Sequence, residues 1–257
     1  MRKALRAIRT QLNAEVSAIV TTHGHADHFG GNAFAVKRTG ARVFAPPVED
    51  AVLRYPLLQP SFLYGGADPL DSLRGRFLLA EASPVDGTLA VGSMVIDGVD
   101  IQVISLNGHS PRQCGILIDG VFFCADVVFP QTALDKYRIP YLYSLTDHLQ
   151  ALDTALAMDC RHVVPGHGPV AVQIEDLVTS NKAAIDRVLA CVIDLAKRPI
   201  DLDDLCACLF ERMDAHVLDD PTYYLLRPTV AAYLTHLTRI GEVSHEVSSN
   251  RSRWQRA

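Results

Sequence analysis

The sequence contains no apolar run of the roughly 18 residues that a membrane-crossing helix needs. Its start does not resemble a secretory signal either. "MRKALRAIRTQLNAEV" is basic but lacks a continuous apolar centre and a small-residue cleavage site. Cytoplasm is therefore the expected compartment, with no membrane partner. Positive charge is scarce: the formal net charge of −5 argues against tight, nonspecific binding of nucleic acid over the whole surface. The six cysteines (Cys114, Cys124, Cys160, Cys191, Cys206, Cys208) include no CxxC pair. They read as reduced, mostly buried thiols rather than a disulfide framework. Internal repeats and low-complexity tracts are absent.

With 257 residues, 49% of them hydrophobic and 21% charged, the chain can hold one large domain, or one domain with a smaller appendage. Residues 1–16 read as an amphipathic helix, with Leu5, Ile8, Leu12 and Val16 at helical spacing. "SAIVTTH" (17–23) reads as a strand, "NAFAVKRTG" as a helix ended by Gly40, and "ARVFAP" as the next strand. Residues 46–84 are irregular and rich in proline, glycine and aromatics, as in a substrate-facing insertion or a mobile lid. Strand patterns return over 87–106 and 114–129, with a tight hairpin predicted at Asp119-Gly120. A helix over 144–158 is capped by Ser144 or Thr146, and "RHVVPGHGPV" reads as a strand leaving into a loop. Beyond about 172 the periodicity is helical through three segments, with no convincing strand before the end. The expected division is 1–172 and 173–257.

Ligand-type side chains gather at the ends of these strand-like runs. "TTHGHADHFGG" (21–31) carries His23, His25, Asp27 and His28 within six positions. His109 follows in "LNGHSPRQCG", Asp126 in "FCADVVF" and His167 in "VVPGHGP". Loops at strand ends are where a rigid sheet can aim several side chains at one point. In extended backbone His23 and His25 point the same way, and the turn into a helix swings Asp27 and His28 toward a neighbouring position. A polar turn with Asp27 as a helix cap would explain that aspartate but not three histidines beside it. Five imidazoles and two carboxylates suit Zn²⁺, ahead of Fe or Mn. Two such ions about 3.5 Å apart can share a water, lower its pKa toward roughly 7, and polarise a carbonyl or phosphoryl oxygen. The chemistry pointed to is metal-assisted hydrolysis.

HxHxDH, then a lone histidine in a GHS turn, an aspartate at a strand end and a histidine in PGHG, resembles the metallo-β-lactamase superfamily over about residues 10–170. The resemblance implies an α/β fold, the αβ/βα sandwich, with a two-metal site at one edge of the sheets. Carried over by motif, His23, His25 and His109 would bind the first metal, and Asp27, His28 and His167 the second. Asp126 would bridge both, and Asp27 would also assist proton transfer. His25 stands where the oxygen-reducing diiron branch has a carboxylate, and Asp126 where the secreted β-lactamases carry cysteine. The site is thus similar to the glyoxalase II and nuclease branches. Relatives carry about 40 residues of strand before this motif's helix, whereas 22 residues precede His23 here. Either the true start lies upstream of Met1, or the sheet is short by two or three strands.

The tail resembles the small winged-helix-like domain of some members, with "LLRPTVAAYLTHLTRIGEVSHEV" as its third helix leading to a strand and "SSNRSRWQRA", where Arg251, Arg253 and Arg256 surround Trp254, as a basic end. Those residues could touch phosphates and stack on a base. A helical cap or a homodimer surface with a solvated tail ranks ahead. His148, His162, His216, His236 and His245 lack partners at ligand spacing and read as surface or hydrogen-bonded groups. Arg112, or Lys136 with Tyr137, could meet an anionic group of the substrate. Aromatics at 137–143 and 62–64 could line a pocket, although core packing ranks ahead for them. The leading expectation is a two-zinc hydrolase of a small ester, thioester or related acyl compound. A nuclease or phosphodiesterase ranks second, and a non-catalytic metal-binding remnant third.

Overall fold

The computed structural model describes the whole chain, Met1–Ala257. It begins with α1 (Arg2–Gln11), β1 (Ala18–Val20), α2 (Ala26–Phe29), α3 (Asn32–Thr39) and β2 (Arg42–Ala45). Next come α4 (Glu49–Arg54), α5 (Leu58–Leu63), a 3-10 turn (Asp71–Arg74), and the strands β3 (Gly87–Thr88), β4 (Gly92–Ile96) and β5 (Val99–Ser105). After β6 (Cys114–Ile118) and β7 (Val121–Ala125) follow α6 (Gln131–Tyr137), α7 (Leu145–Leu156) and β8 (His162–Pro165). The chain ends with α8 (Glu175–Leu195), α9 (Leu202–Arg212), α10 (Asp220–Arg239), β9 (Val243–Ser248) and β10 (Arg251–Arg256).

Two sheets face each other. One is parallel, in the order β1-β2-β3; the other runs β4-β5-β6-β7-β8, antiparallel except for the parallel pair β7–β8. Strand alternation decides which face each residue joins. On β5, Ile101 and Val103 turn inward to meet Leu89, Cys114 and Ile116, with Val20 and Phe44 of the other sheet packed against them. Ile104, next to Val103, turns outward into the largest core, with Leu152 of α7 and Val188 of α8. Behind the parallel sheet, Val43 and Ala45 pack on Phe29, Val52 and Leu53. The layers are therefore helix, sheet, sheet, helix, the sandwich expected from the motifs.

Turn chemistry sets the register. Gly40 ends α3 with φ of 72°, and both Asp97-Gly98 and Asp119-Gly120 carry positive φ, which matches the twist of two-residue hairpins. Ser144 caps α7, its hydroxyl accepting from the Asp147 N–H.

Several expectations are corrected. The first helix stops at Gln11, none of its residues is buried, and Leu12 is exposed. Residues 46–84 hold two short helices and a 3-10 turn instead of an irregular loop. That segment is fastened to α10: Ser72 Oγ donates to Asp220 Oδ2 at 2.6 Å, and the Tyr64 and Tyr224 rings meet edge to face at 5.0 Å. The last helix does lead to a strand, β9, but the basic end beyond it is a second strand, β10, paired antiparallel with β9, and not a solvated tail. Trp254 packs on the main core and exchanges two backbone hydrogen bonds with Ile200. The same core spans residue 172, joining Ile104 and Leu152 to Tyr233 and Val243. β1 pairs on one side only, with β2. All six cysteines are free; Cys114, Cys124 and Cys206 are buried, and Cys208 is exposed.

Candidate metal centre

Four loops leave the ends of β1, β5, β7 and β8 and converge. The first is pinned at three points. Thr21 N–H donates to Phe44 O at 2.9 Å, Asn32 Nδ2 donates to Thr21 Oγ1 at 2.9 Å, and Cys114 N–H donates to Thr22 O at 3.0 Å. His25 caps α2, whose first turn carries Asp27 and His28. In the second loop Gly108, at φ of 127°, lies so close to α7 that an added Cβ would stand 2.3 Å from His148 N. Its carbonyl accepts from Tyr143 and Ser144, which fixes His109 next to it. In the third loop Ala125 takes a strained φ of 50°, and the Asp126 N–H that follows donates to Gln113 Oε1. The fourth loop is tied back by Gly166 N–H, which donates to Ala125 O at 2.8 Å.

All seven side chains predicted as ligands meet here. The ligand atoms of His23, His25 and His109 lie within 4.8 Å of one another, as do those of His23, His28 and Asp126, and those of Asp27, His28 and His167. His25 Nδ1 faces His109 Nε2 at 2.9 Å. The Nδ1–H of His109 points at Tyr141 O, 3.2 Å away, which leaves the Nε2 lone pair aimed inward. Asp126 Oδ2 is 3.3 Å from both His28 Nε2 and His167 Nε2, and 3.5 Å from His109 Nε2. Asp27 Oδ2 is 3.3 Å from His167 Nε2. Asp126 thus stands between the two halves.

The electrostatics separate those halves. Burial holds His23 well below its ordinary pKa; it also lowers His25 to about 4, against the pull of Asp126 and Asp27, and His109 to about 3. These rings are neutral at pH 7, with lone pairs free. Burial pushes the Asp126 carboxyl up, but His167 and His28 outweigh it, and the group stays ionised far below the usual carboxylate range. Hydrogen bonds to Asp126 and Asp27 raise His167 to about 10.

A divalent cation fits this donor set. His23 Nε2, His28 Nε2 and Asp126 Oδ1 are buried with those atoms turned to the centre of the cluster and no hydrogen-bond partner. Each such orphan costs about 1–3 kcal/mol unless something binds it. Gly166 completes the cradle, since a Cβ there would fall 2.0 Å from Asp126 Oδ1 and 2.9 Å from His28 Cε1.

Glu49 gave no signal in the sequence. Buried at the start of α4, it accepts from Gly24 N–H (2.8 Å), Ser110 Oγ (2.7 Å) and Arg112 N–H (2.7 Å), and so joins the His23–His25 loop to the His109 loop. Burial raises its carboxyl above the ordinary value, and those three bonds pull it part of the way back. His148 is a correction: it is buried, at 1% exposure, with Nδ1 unpartnered and its pKa lowered by burial to about 4. His162, His216, His236 and His245 belong to none of the ligand groups. The side chain of Arg112 is exposed, and that of Lys136 lies against Tyr137.

The site opens into a cavity of about 220 Å³, with Asp27, His109, Asp126 and His167 in its wall. A layered sandwich with histidines and aspartates gathered at its strand ends defines a class of metal-binding proteins. Residues 2–167 match the family described as the Metallo-beta-lactamase superfamily, and the chain belongs to it. The chain is 27% identical over 159 residues to a hydroxyacylglutathione hydrolase of Albidiferax ferrireducens, a match taking in 59% of this chain and 51% of that protein. It therefore spans about half the length of that curated relative. A β-lactamase domain protein from Burkholderia ambifaria has the same fold at a TM-score of 0.75 and 23% identity, over 100% of this chain and 80% of that one. A metallo-β-lactamase family protein from Thermus thermophilus gives 0.74 and 20%, over 100% and 86%. No helix here is long and apolar enough to cross a membrane.

Proposed function

We propose that the chain is a hydrolase of esters, thioesters or related acyl compounds that works with two metal ions, zinc by preference. The observation that carries this reading is the meeting of five imidazoles and two carboxylates from four loops at the end of one cavity. His23, His25 and His109 would hold one ion, Asp27, His28 and His167 the other, with Asp126 between them. When bound, such a pair supplies Lewis acidity and an activated water at neutral pH. The chain's own residues orient and exclude. Tyr141 O keeps the His109 lone pair directed inward, and the apolar walls shield the reacting carbonyl from bulk solvent. Asp27, half exposed at the cavity and hydrogen-bonded to His167, is placed to take and pass on a proton.

Residues 173–257, three helices and a hairpin, form in this reading a winged-helix-like unit that closes one side of the cavity through α10. Elemental analysis of the purified protein and of His25→Ala tests the proposal. About two equivalents of metal in the parent, with metal and ester hydrolysis both lost in the variant, is the expected result. A metal-free parent, or hydrolysis untouched by the substitution, rejects it.

A further inference from the structure

The walls of the cavity come from three distant segments. Phe77 and Leu78 belong to the 46–85 insertion, Leu134 and Ile139 to α6 and the turn after it, and Leu225 and Leu226 to α10. Apart from the metal-site histidines and aspartates, the polar groups in the lining are Gln59 and tyrosine hydroxyls; no lysine or arginine lines it. The two cations that the sequence offered for an anionic group do not line it: the Arg112 side chain is exposed, and Lys136 Nζ lies over the Tyr137 ring at 4.6 Å and donates to its hydroxyl at 3.1 Å. Phe77 and Tyr137 line the cavity and yet are 57% and 50% exposed, so the apolar surface continues out through the mouth.

An anionic group held between the apolar walls, away from the metal-site end where His167 lies, would be desolvated with no partner, at a cost of several kcal/mol. An alkyl or aryl group would be stabilised by the same walls. The geometry points to a substrate that is uncharged and carries an apolar chain beside its scissile carbonyl. Acyl groups ending in a carboxylate, and phosphodiesters, are selected against. This inference rests on the reading of the site as an acyl-bond hydrolase and names the substrate class of that site. The cavity of about 220 Å³ has room for a chain of several carbons beside the carbonyl.

The test uses the metal-loaded full chain and two series of esters, one lengthened on the acyl side and one on the alcohol side. In at least one series kcat/KM rises about fourfold per methylene and levels off once the chain outgrows the cavity. A succinyl ester falls about 100-fold below its butanoyl counterpart. Phe77→Arg, at an exposed rim position, lowers the chain-length gain and lifts the succinyl ester by about tenfold. A parallel titration with methyl ketones of growing chain length, which cannot be hydrolysed, reads binding without turnover. Affinity that rises with chain length upholds the apolar site even if no ester is cleaved, and in that case the hydrolase reading falls alone. Ester turnover with flat profiles in both series, and no gain in ketone affinity, overturns this inference and leaves the hydrolase reading standing. Preference for the succinyl ester also overturns it.

Discussion

Removing the Glu49 carboxylate should loosen two metal-binding loops at once, although Glu49 is not among the seven ligands. Glu49→Ala leaves Gly24 N–H, Ser110 Oγ and Arg112 N–H without their acceptor in a buried place. Three orphaned donors at about 1–3 kcal/mol each set an upper range. Against that, the variant no longer desolvates a carboxylate, a cost that its raised pKa shows the three bonds only partly return. The difference is a loss of about 2–4 kcal/mol, or about 4–16 °C in Tm for a chain of this size. Glu49→Gln keeps the volume and one oxygen, which can still accept from Ser110 and Arg112, but turns an amide N–H toward Gly24 N–H. It should fall between the parent and the alanine variant.

Calorimetry of the chelator-treated proteins reads the stability loss without the metal. Zinc titration then reads the consequence for the site: weaker binding where His23, His25 and His109 converge, with Glu49→Gln recovering part of it. An alanine variant within about 0.5 kcal/mol of the parent that also binds two metals normally would refute the reasoning, because the three bonds would then hold nothing in place.

Gly166→Ala should act on the metal directly. Its Cβ would displace Asp126 and His28, so bound metal falls from two equivalents to one or fewer while the metal-free protein loses only about 1–3 kcal/mol; two metals bound with parental affinity would contradict this. Metal uptake should also split by pH. His25 and His109, lowered to about 4 and 3, are already neutral imidazoles at pH 7, so filling their side displaces almost no imidazolium proton. His167, raised to about 10, is protonated at pH 7 and must give up that proton, so affinity on its side rises about tenfold per pH unit up to about pH 10. Calorimetric titration in buffers of different ionisation enthalpy counts the protons, and equal release at both steps would be the contrary result.

What was legible follows from what the chemistry demands. A metal ligand must be one of very few residue types, so His23, His25, Asp27, His28, His109, Asp126 and His167 stand out in sequence and all arrive at one place. Glu49 is different. It acts through backbone N–H groups, which every sequence has, at separations of 25 and 63 residues. Of the final hairpin, β9 was expected only through the winged-helix resemblance and β10 was hidden by composition, since both strands are mostly polar and show no alternation of apolar side chains. Its turn did carry a local sign: Ser249 and Asn250 both adopt positive φ, a conformation that asparagine tolerates well. His148 was open to a better reading, because it falls on the same stripe of α7 as the buried Leu145, Leu152 and Ala155.

The cavity walls lie at the far end of this scale. A ligand position accepts few substitutes, whereas any apolar side chain of suitable size serves beside a hydrocarbon chain. Leu78, Leu134 and Leu226 therefore look like ordinary core residues, and only the folding of the insertion against α10 makes them neighbours. Chemistry and specificity are carried by different kinds of residue here. The metal cluster hangs on strand ends braced by Glu49 and Gln113, while the walls belong to segments joined by the Ser72–Asp220 bond and the Tyr64–Tyr224 contact. Substitutions in the walls can thus change which acyl group fits without disturbing the bonds that hold the ligands.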